Sequence, residues 1–198
     1  MNYEIKNLEK SIDQSLKNLS TDYIDNLLLH DWPAYYALDK STIYEFEKLK
    51  KKGKIINWGL GSSQEEVQKI LLSRNKNNFY DPKIIQCLNS IKNPFQPSKE
   101  NLKGLSLYTH GAISDGLQNI QKYFLMRPGI KEIWERELDI KIIDNSTIAQ
   151  LCLEFAVYNQ IPQIVIFRSS NIKNLKKNIN FLENLNFGKK KIIKFIKI

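Results

Sequence analysis

FEKLKKKGKIINWGLGSS, residues 46–63, is the stretch on which the fold class turns. Its first half closes a helix that Ser41 starts and Gly53 ends, with lysines gathered in the last turn, where the helix dipole favours cations. Its second half, IINWGLGSS (residues 55–63), is a short apolar run that closes in a Gly/Ser turn, the mark of a buried strand. Gln64, Glu65 and Glu66 then open another helix that runs to about Arg74, with acids in its first turn. A helix, a strand, a turn and a helix in that order form a parallel α/β unit.

The same alternation extends both ways along the 198 residues. Upstream, Ile5, Leu8, Ile12, Leu16 and Leu19 recur at three- and four-residue steps and predict a helix from Tyr3 to Leu19. A strand-length run follows, from Tyr23 to His30. Downstream, strands are predicted at 83–90 (KIIQCLNS), 105–110 (LSLYTH) and 162–168 (PQIVIFR), and helices at 144–160 and 171–182. Residues 93–104 read as a loop with a short helical turn. Residues 111–143 read as a less regular segment, a loop carrying a short helix. The tail GKKKIIKFIKI (residues 188–198) reads as a solvated terminus or short edge strand, with a membrane-surface patch as the sharper alternative. No linker or composition break appears, so one domain spanning 1–198 is expected. Five short strands alternating with helices fit either an open doubly wound sheet or a (β/α) barrel. GLGSS has two glycines and no third at dinucleotide-fingerprint spacing, so it supports the doubly wound alternative only weakly.

Bulk properties narrow the function classes. The formal net charge is +9, with a pI near 9.4, yet the lysines are scattered among Asn and Ile and form no stripe beyond the tail. No nucleic-acid partner is expected from that pattern. No apolar run approaches the ~18 residues of a membrane span, and the charged N-terminal text resembles no secretory signal. Cys87 and Cys152 sit in apolar settings and read as reduced, buried thiols of a cytoplasmic protein. No metal site is expected.

In parallel α/β folds the chemistry gathers at the C-terminal ends of strands. The predicted ends are His30-Asp31, Gly61-Ser62-Ser63, the segment carrying Gln86 and Asn89, Tyr108-Thr109-His110, and Arg168-Ser169-Ser170-Asn171. Both histidines of the chain fall at such ends. At the last of them, capping residues precede a helix bearing Lys173, Lys176 and Lys177, which suits an anion. Arg168 stands where it could grip a phosphate. An ordinary capped helix with a solvated basic face is the competing explanation.

Taken together, KSIDQSLKNLSTDYIDNLLLHDWP (10–33), FEKLKKKGKIINWGLGSS (46–63), IIQCLNS (84–90), LSLYTHGAISDGLQ (105–118) and TIAQLCLEFAVYNQIPQIVIFRSSNIKNLKKNI (147–179) resemble the aldo-keto reductase family, in order and over nearly the whole chain. The resemblance implies part of a TIM (β/α)8 barrel of the NADP-dependent oxidoreductase type, with about five parallel strands alternating with helices. It also implies hydride transfer between NADP(H) and a small-molecule carbonyl or alcohol. By position, His30 matches the histidine that hydrogen-bonds the substrate carbonyl, and Gln86, with Ser62 after the preceding strand, matches residues that hold the nicotinamide carboxamide. Tyr108 matches the aromatic that stacks on the nicotinamide ring. Arg168, Ser169, Ser170 and Asn178 fall in the segment that holds the adenosine phosphate and adenine.

The chain departs from the family pattern in three places. Gly61 stands where the family carries a serine, and Phe167-Arg168 where it often carries Pro-Gly. No text here matches the family's first three strands, which bear its catalytic Asp, Tyr and Lys. The resemblance therefore implies an N-terminally truncated member, weak or inactive alone, and leaves open whether the chain by itself is an enzyme. The alternative is a non-catalytic barrel remnant, or a partner subunit completing a split reductase. Five strands do not close an eight-stranded barrel, and open sheet edges invite self-association or pairing with a separate N-terminal half.

Overall fold

In the computed structural model, residues 7–74, 82–142, 144–159 and 164–195 are described. Five strands, β1 (Ile24–His30), β2 (Ile55–Gly61), β3 (Ile84–Leu88), β4 (Ser106–His110) and β5 (Ile164–Val165), follow chain order in the sheet, and the recorded pairings are parallel. The helices are α1 (Leu8–Leu19), α2 (Ala34–Ala37), α3 (Lys40–Lys51), α4 (Gln64–Arg74), α5 (Ala112–Met126), α6 (Ile130–Leu138), α7 (Asn145–Tyr158), α8 (Ile172–Glu183) and α9 (Gly188–Phe195). This is the expected alternation of parallel strands and helices. None of the described helices is long and apolar enough to cross a membrane.

The chain divides into two compact units, residues 1–87 with 97–107, and residues 88–96 with 108–198. In the first, α3 lies on β2 and stacks Phe46 on Trp58, ring centroids 4.4 Å apart and nearly coplanar. Around that pair Ile55, Leu60, Val67, Ile70, Leu71 and Ile85 are fully or almost fully buried. The helix α1 contributes Ile12 and Leu16 to the buried set. Its outer face is tied down by Glu9, which accepts from Lys52 and from Lys54 (3.0 Å), while Asp13 accepts from Lys54 at 2.6 Å. These bonds, Lys52 first and then Lys54, draw the Glu9 carboxyl down to about 2.

One residue sets how β2 meets β3. A Cβ on Gly59 would lie 2.0 Å from the Ile84 carbonyl oxygen, so the backbones approach to a distance that only glycine permits. Two residues on, a Cβ at Gly61 would meet nothing nearer than the Gln86 Oε1 at 3.6 Å, an ordinary contact.

The second unit packs α5 and α9 against α7, whose buried positions run unbroken from Ile148 to Ala156. Trp134, Leu138, Ile142, Leu151, Cys152, Phe155 and Ile192 form its core. Gly116 of α5 faces Cys152 so closely that a Cβ there would sit 2.6 Å from the sulfur. Both cysteines are free, and burial pushes each thiol up to about 12.

Three local expectations are corrected. Residues 111–143 hold two helices, α5 and α6, rather than a loop with one short helix. Their N-terminal residues, Gly111 and Gly129, take positive φ and offer no side-chain cap, so the usual start signal is absent. The basic tail forms the helix α9 rather than an edge strand. Glu154, fully buried in α7, accepts the backbone N–H groups of Asn186, Phe187 and Gly188 and caps that helix from a distance. Gln150 also donates to Glu154, at 3.0 Å. The last strand shrinks to Ile164–Val165, while residues 160–163 lie outside the described residues, as do residues 3–6 of the first predicted helix.

Gly59→Ala is expected to destabilise the protein by at least about 1–3 kcal/mol, as overpacking against backbone does. Gly61→Ser should leave the melting temperature nearly unchanged. Thermal unfolding by circular dichroism reads both, and equal losses would contradict the packing described.

Candidate active and cofactor site

In the first unit the parallel register places the strand-end residues. His30 pairs with Gly61, and Gly61 with Gln86, so the ends of β1 and β2 and the middle of β3 stand in one row. Ser62 continues the row, its N–H donating to the Gln86 carbonyl at 3.1 Å. The Gln86 side-chain oxygen flanks the space that Gly61 leaves empty. His30, Ser62 and Gln86 are thus brought together.

The turn after His30 is clamped on both sides. Asp31 adopts φ +55, a left-handed conformation that aspartate tolerates better than most residues, and its N–H donates to the Gly61 carbonyl at 2.7 Å. Beyond it, the Ala34 N–H donates to Glu66 of α4 at 2.6 Å. Lys69 and then that amide hold the Glu66 carboxyl below its ordinary range. A lowered carboxyl contributes its stability above the unfolded value and loses it as pH falls through the folded one. The clamp therefore loosens only on acidification.

The His30 side chain is 80% exposed, with Nδ1 3.3 Å from the Asp31 carboxylate. At that exposure the pair adds little stability. Its chemical consequence is orientation. A carboxylate beside Nδ1 favours the proton there and leaves Nε2 as the nitrogen that meets a ligand. Nε2 then accepts from an alcohol when the ring is neutral, and donates to a carbonyl from the imidazolium.

In the second unit, β4 and β5 pair Tyr108 with Ile164 and Thr109 with Val165, and the Ile166 N–H donates to the Thr109 carbonyl at 2.7 Å. The chain leaves β5 as Phe167-Arg168-Ser169-Ser170 and enters α8. Here a cavity of about 370 Å³ opens, within the size range of small-molecule sites. Arg168, Ser169, Asn174, Lys177 and Asn178 line it from α8 and the segment before it, and Asp144 and Asn145 line it from the start of α7. Of the expected residues, Arg168, Ser169 and Asn178 share this wall. Exposed Ser170 stands outside the lining, and half-buried Tyr108 is on β4.

The start of α8 is already partly satisfied. Asn171 caps the Lys173 N–H at 2.9 Å, and Ser169 Oγ accepts from the Asn171 N–H at 3.1 Å. Anion affinity in the cavity thus falls to Arg168 and Lys177 more than to free helix amides. Asp144 does not cancel them fully. Its carboxylate caps α7 through the Thr147 N–H at 3.0 Å, which with help from Lys177 holds it below its ordinary range.

Asn178 is the unusual residue. It is 6% exposed and lines the cavity, and no side-chain hydrogen bond ties it to another described residue, so its amide is available to whatever enters the cavity. It shares a helix face with Leu175, Phe181 and Leu182, where an apolar residue would be the ordinary choice. The sequence reading did not single out Glu66, whose partner lies 32 residues away. Among the described residues no cluster of three His, Cys, Asp or Glu could hold a metal.

The profile of the aldo/keto reductase family matches residues 1–197, and the chain belongs to that family. No curated protein matches it significantly. Its fold is similar to that of an aldo-keto reductase enzyme from a Medee basin deep-sea metagenome library (TM-score 0.65, 21% identity, covering 95% of this chain and 63% of that one). It is similar also to an aldo-keto reductase from Bacillus halodurans in its holo form (TM-score 0.67, 20% identity, 98% and 68%), and to an aldo/keto reductase from Brucella melitensis (0.61, 18%, 95% and 65%). The chain thus spans about two thirds of the length of these structures, and at such identities the likeness speaks for the fold alone.

Because the Asn178 amide faces the cavity and holds no other side chain in place, Asn178→Leu should change stability by less than about 1 kcal/mol. Chemical denaturation of the ligand-free chain measures this. A clear loss of stability would mean that the amide is held within the protein instead.

Proposed function

We propose that this chain carries the cofactor-binding part of an NADP(H)-dependent aldo-keto reductase and presents His30 to a small-molecule carbonyl. The observation that supports the reading is one cavity lined by the Asn178 amide together with Arg168 and Lys177. An amide that can both donate and accept suits an adenine edge. Two cations beside it suit a phosphate, and favour NADP(H) over NAD(H) through its additional phosphate. The residues present fit the group.

Gln86 and Ser62 would hold the carboxamide, with Gly61 leaving room beside the Gln86 oxygen, and by the family resemblance Tyr108 corresponds to the residue that would stack on the ring. The cofactor would supply hydride to a carbonyl carbon. The oxygen gains negative charge as that happens, and a donor at His30 Nε2 stabilises it. Glu66 and the Gly61 carbonyl keep the His30 turn from moving as the substrate enters. None of the segments that match the family carries its Asp-Tyr-Lys set, so the 198-residue chain alone is proposed to turn over carbonyls weakly or not at all. Self-association or a separate polypeptide supplying the first strands would complete such an enzyme.

Calorimetric titration of the purified chain with NADPH tests the reading. Saturable binding is expected. Arg168→Ala and Asn178→Leu should each weaken it about tenfold or more, the latter without loss of fold. Absence of binding by a folded chain would overturn the proposal, and equal affinity for NADH would remove its NADP(H) preference.

A further inference from the structure

The second unit has a second opening, which shares only Asp144 and Asn145 with the cavity beside α8. It is a groove of about 750 Å³ along the α5–α6 junction, walled by Phe124, Leu125, Pro128, Ile142 and Ile148. At its lip the end of α5 projects two large apolar side chains, Leu125 at 84% and Met126 at 70% exposure, and Ile133 of α6 is also exposed. The turn between them is open, since a Cβ on Gly129 would touch nothing within 4 Å. A projecting apolar pair next to an apolar groove is more than scattered surface hydrophobicity.

The groove is lined by charges of both signs, Arg127 and Lys131 together with Glu132 and Asp144. Arg127 is committed to Tyr123, bonded to its hydroxyl at 3.0 Å and stacked 4.9 Å over its ring. Lys131 reaches Glu135 only at 4.0 Å, while its neighbour Glu132 has no ion pair among the described residues. An anionic membrane or nucleic acid would call for a rim of one sign. A rim with a lysine and an unpaired glutamate side by side is complementary to itself.

We propose that this face pairs with a second copy of the chain about a two-fold axis, Leu125 and Met126 of each copy entering the groove of the other. Such an interface is isologous, so the projection and the groove that receives it must lie on the same patch, as they do here. The same axis sets Lys131 of each copy against Glu132 of the other. The pairing rests on helices α5 and α6 rather than on sheet edges.

Sedimentation equilibrium of the full 198-residue chain, without nucleotide, tests this. A reversible dimer is expected, weakened about tenfold or more by Leu125→Glu and by Met126→Glu, with far-UV circular dichroism unchanged. Charge reversal supplies a second test on exposed residues. Lys131→Glu and Glu132→Lys should each weaken self-association, and mixing the two variants should restore it as a heterodimer. A monomer at every concentration would overturn the proposal, as would a dimer indifferent to Leu125→Glu or variants that do not recover on mixing. A monomer whose groove binds an apolar dye, with that binding lost on Leu125→Glu, would likewise overturn it and assign the groove to a different occupant.

Discussion

The carbonyl oxygen of Ile84 occupies the place where a side chain on residue 59 would begin. That contact lets β3 close on β2, and the register it supports aligns Gly61 with Gln86. On its other side β2 aligns Gly61 with His30. The spacing of these three residues, and with it the position of the candidate carbonyl-binding histidine, thus depends on one missing methyl group. The Phe46–Trp58 stack then presses α3 onto the same strand, so the most buried aromatic pair of the first unit supports the strand that organises the row. The row of candidate site residues and the core packing share one element, and a change in either moves the other.

The two units meet function differently. In the first, position is set by backbone register and by clamps on a strained turn, with Asp31 in a left-handed conformation between the Gly61 carbonyl and the Glu66 carboxylate. In the second, position is set by a cavity lined by Arg168, Lys177 and Asn178. Backbone strain is costly in a folded chain and tends to survive where a ligand uses it.

How much of this was legible beforehand follows from the range of the interactions concerned. Strands β1 to β4 were readable because apolar runs end in local signals, such as His30-Asp31 and Gly61-Ser62. Helix α7 was readable from its Asp144 cap. Helices α5 and α6 were not, since Gly111 and Gly129 begin them through backbone conformation without a capping side chain. Helix α9 was hidden because Glu154, in another helix, caps it. The candidate site divides in the same way. Strand order and the family resemblance pointed to His30, Gln86, Arg168 and Asn178. The register linking the first two, and the burial that makes Asn178 exceptional, are tertiary facts that no local pattern encodes.

Glu154 has one more consequence. Its backbone partners lie 32 to 34 residues further along the chain. During synthesis from the N-terminus, α7 emerges with a carboxylate at the centre of its apolar face before any of those amides exist to receive it. Burying the charge at that stage would be strongly unfavourable. The second unit is thereby kept from settling prematurely around α7, and its core waits for the segment at 186–188. One buried acid acts as a timer on assembly, delaying closure of the core until the strand ends and the cavity beside α8 have all been synthesised.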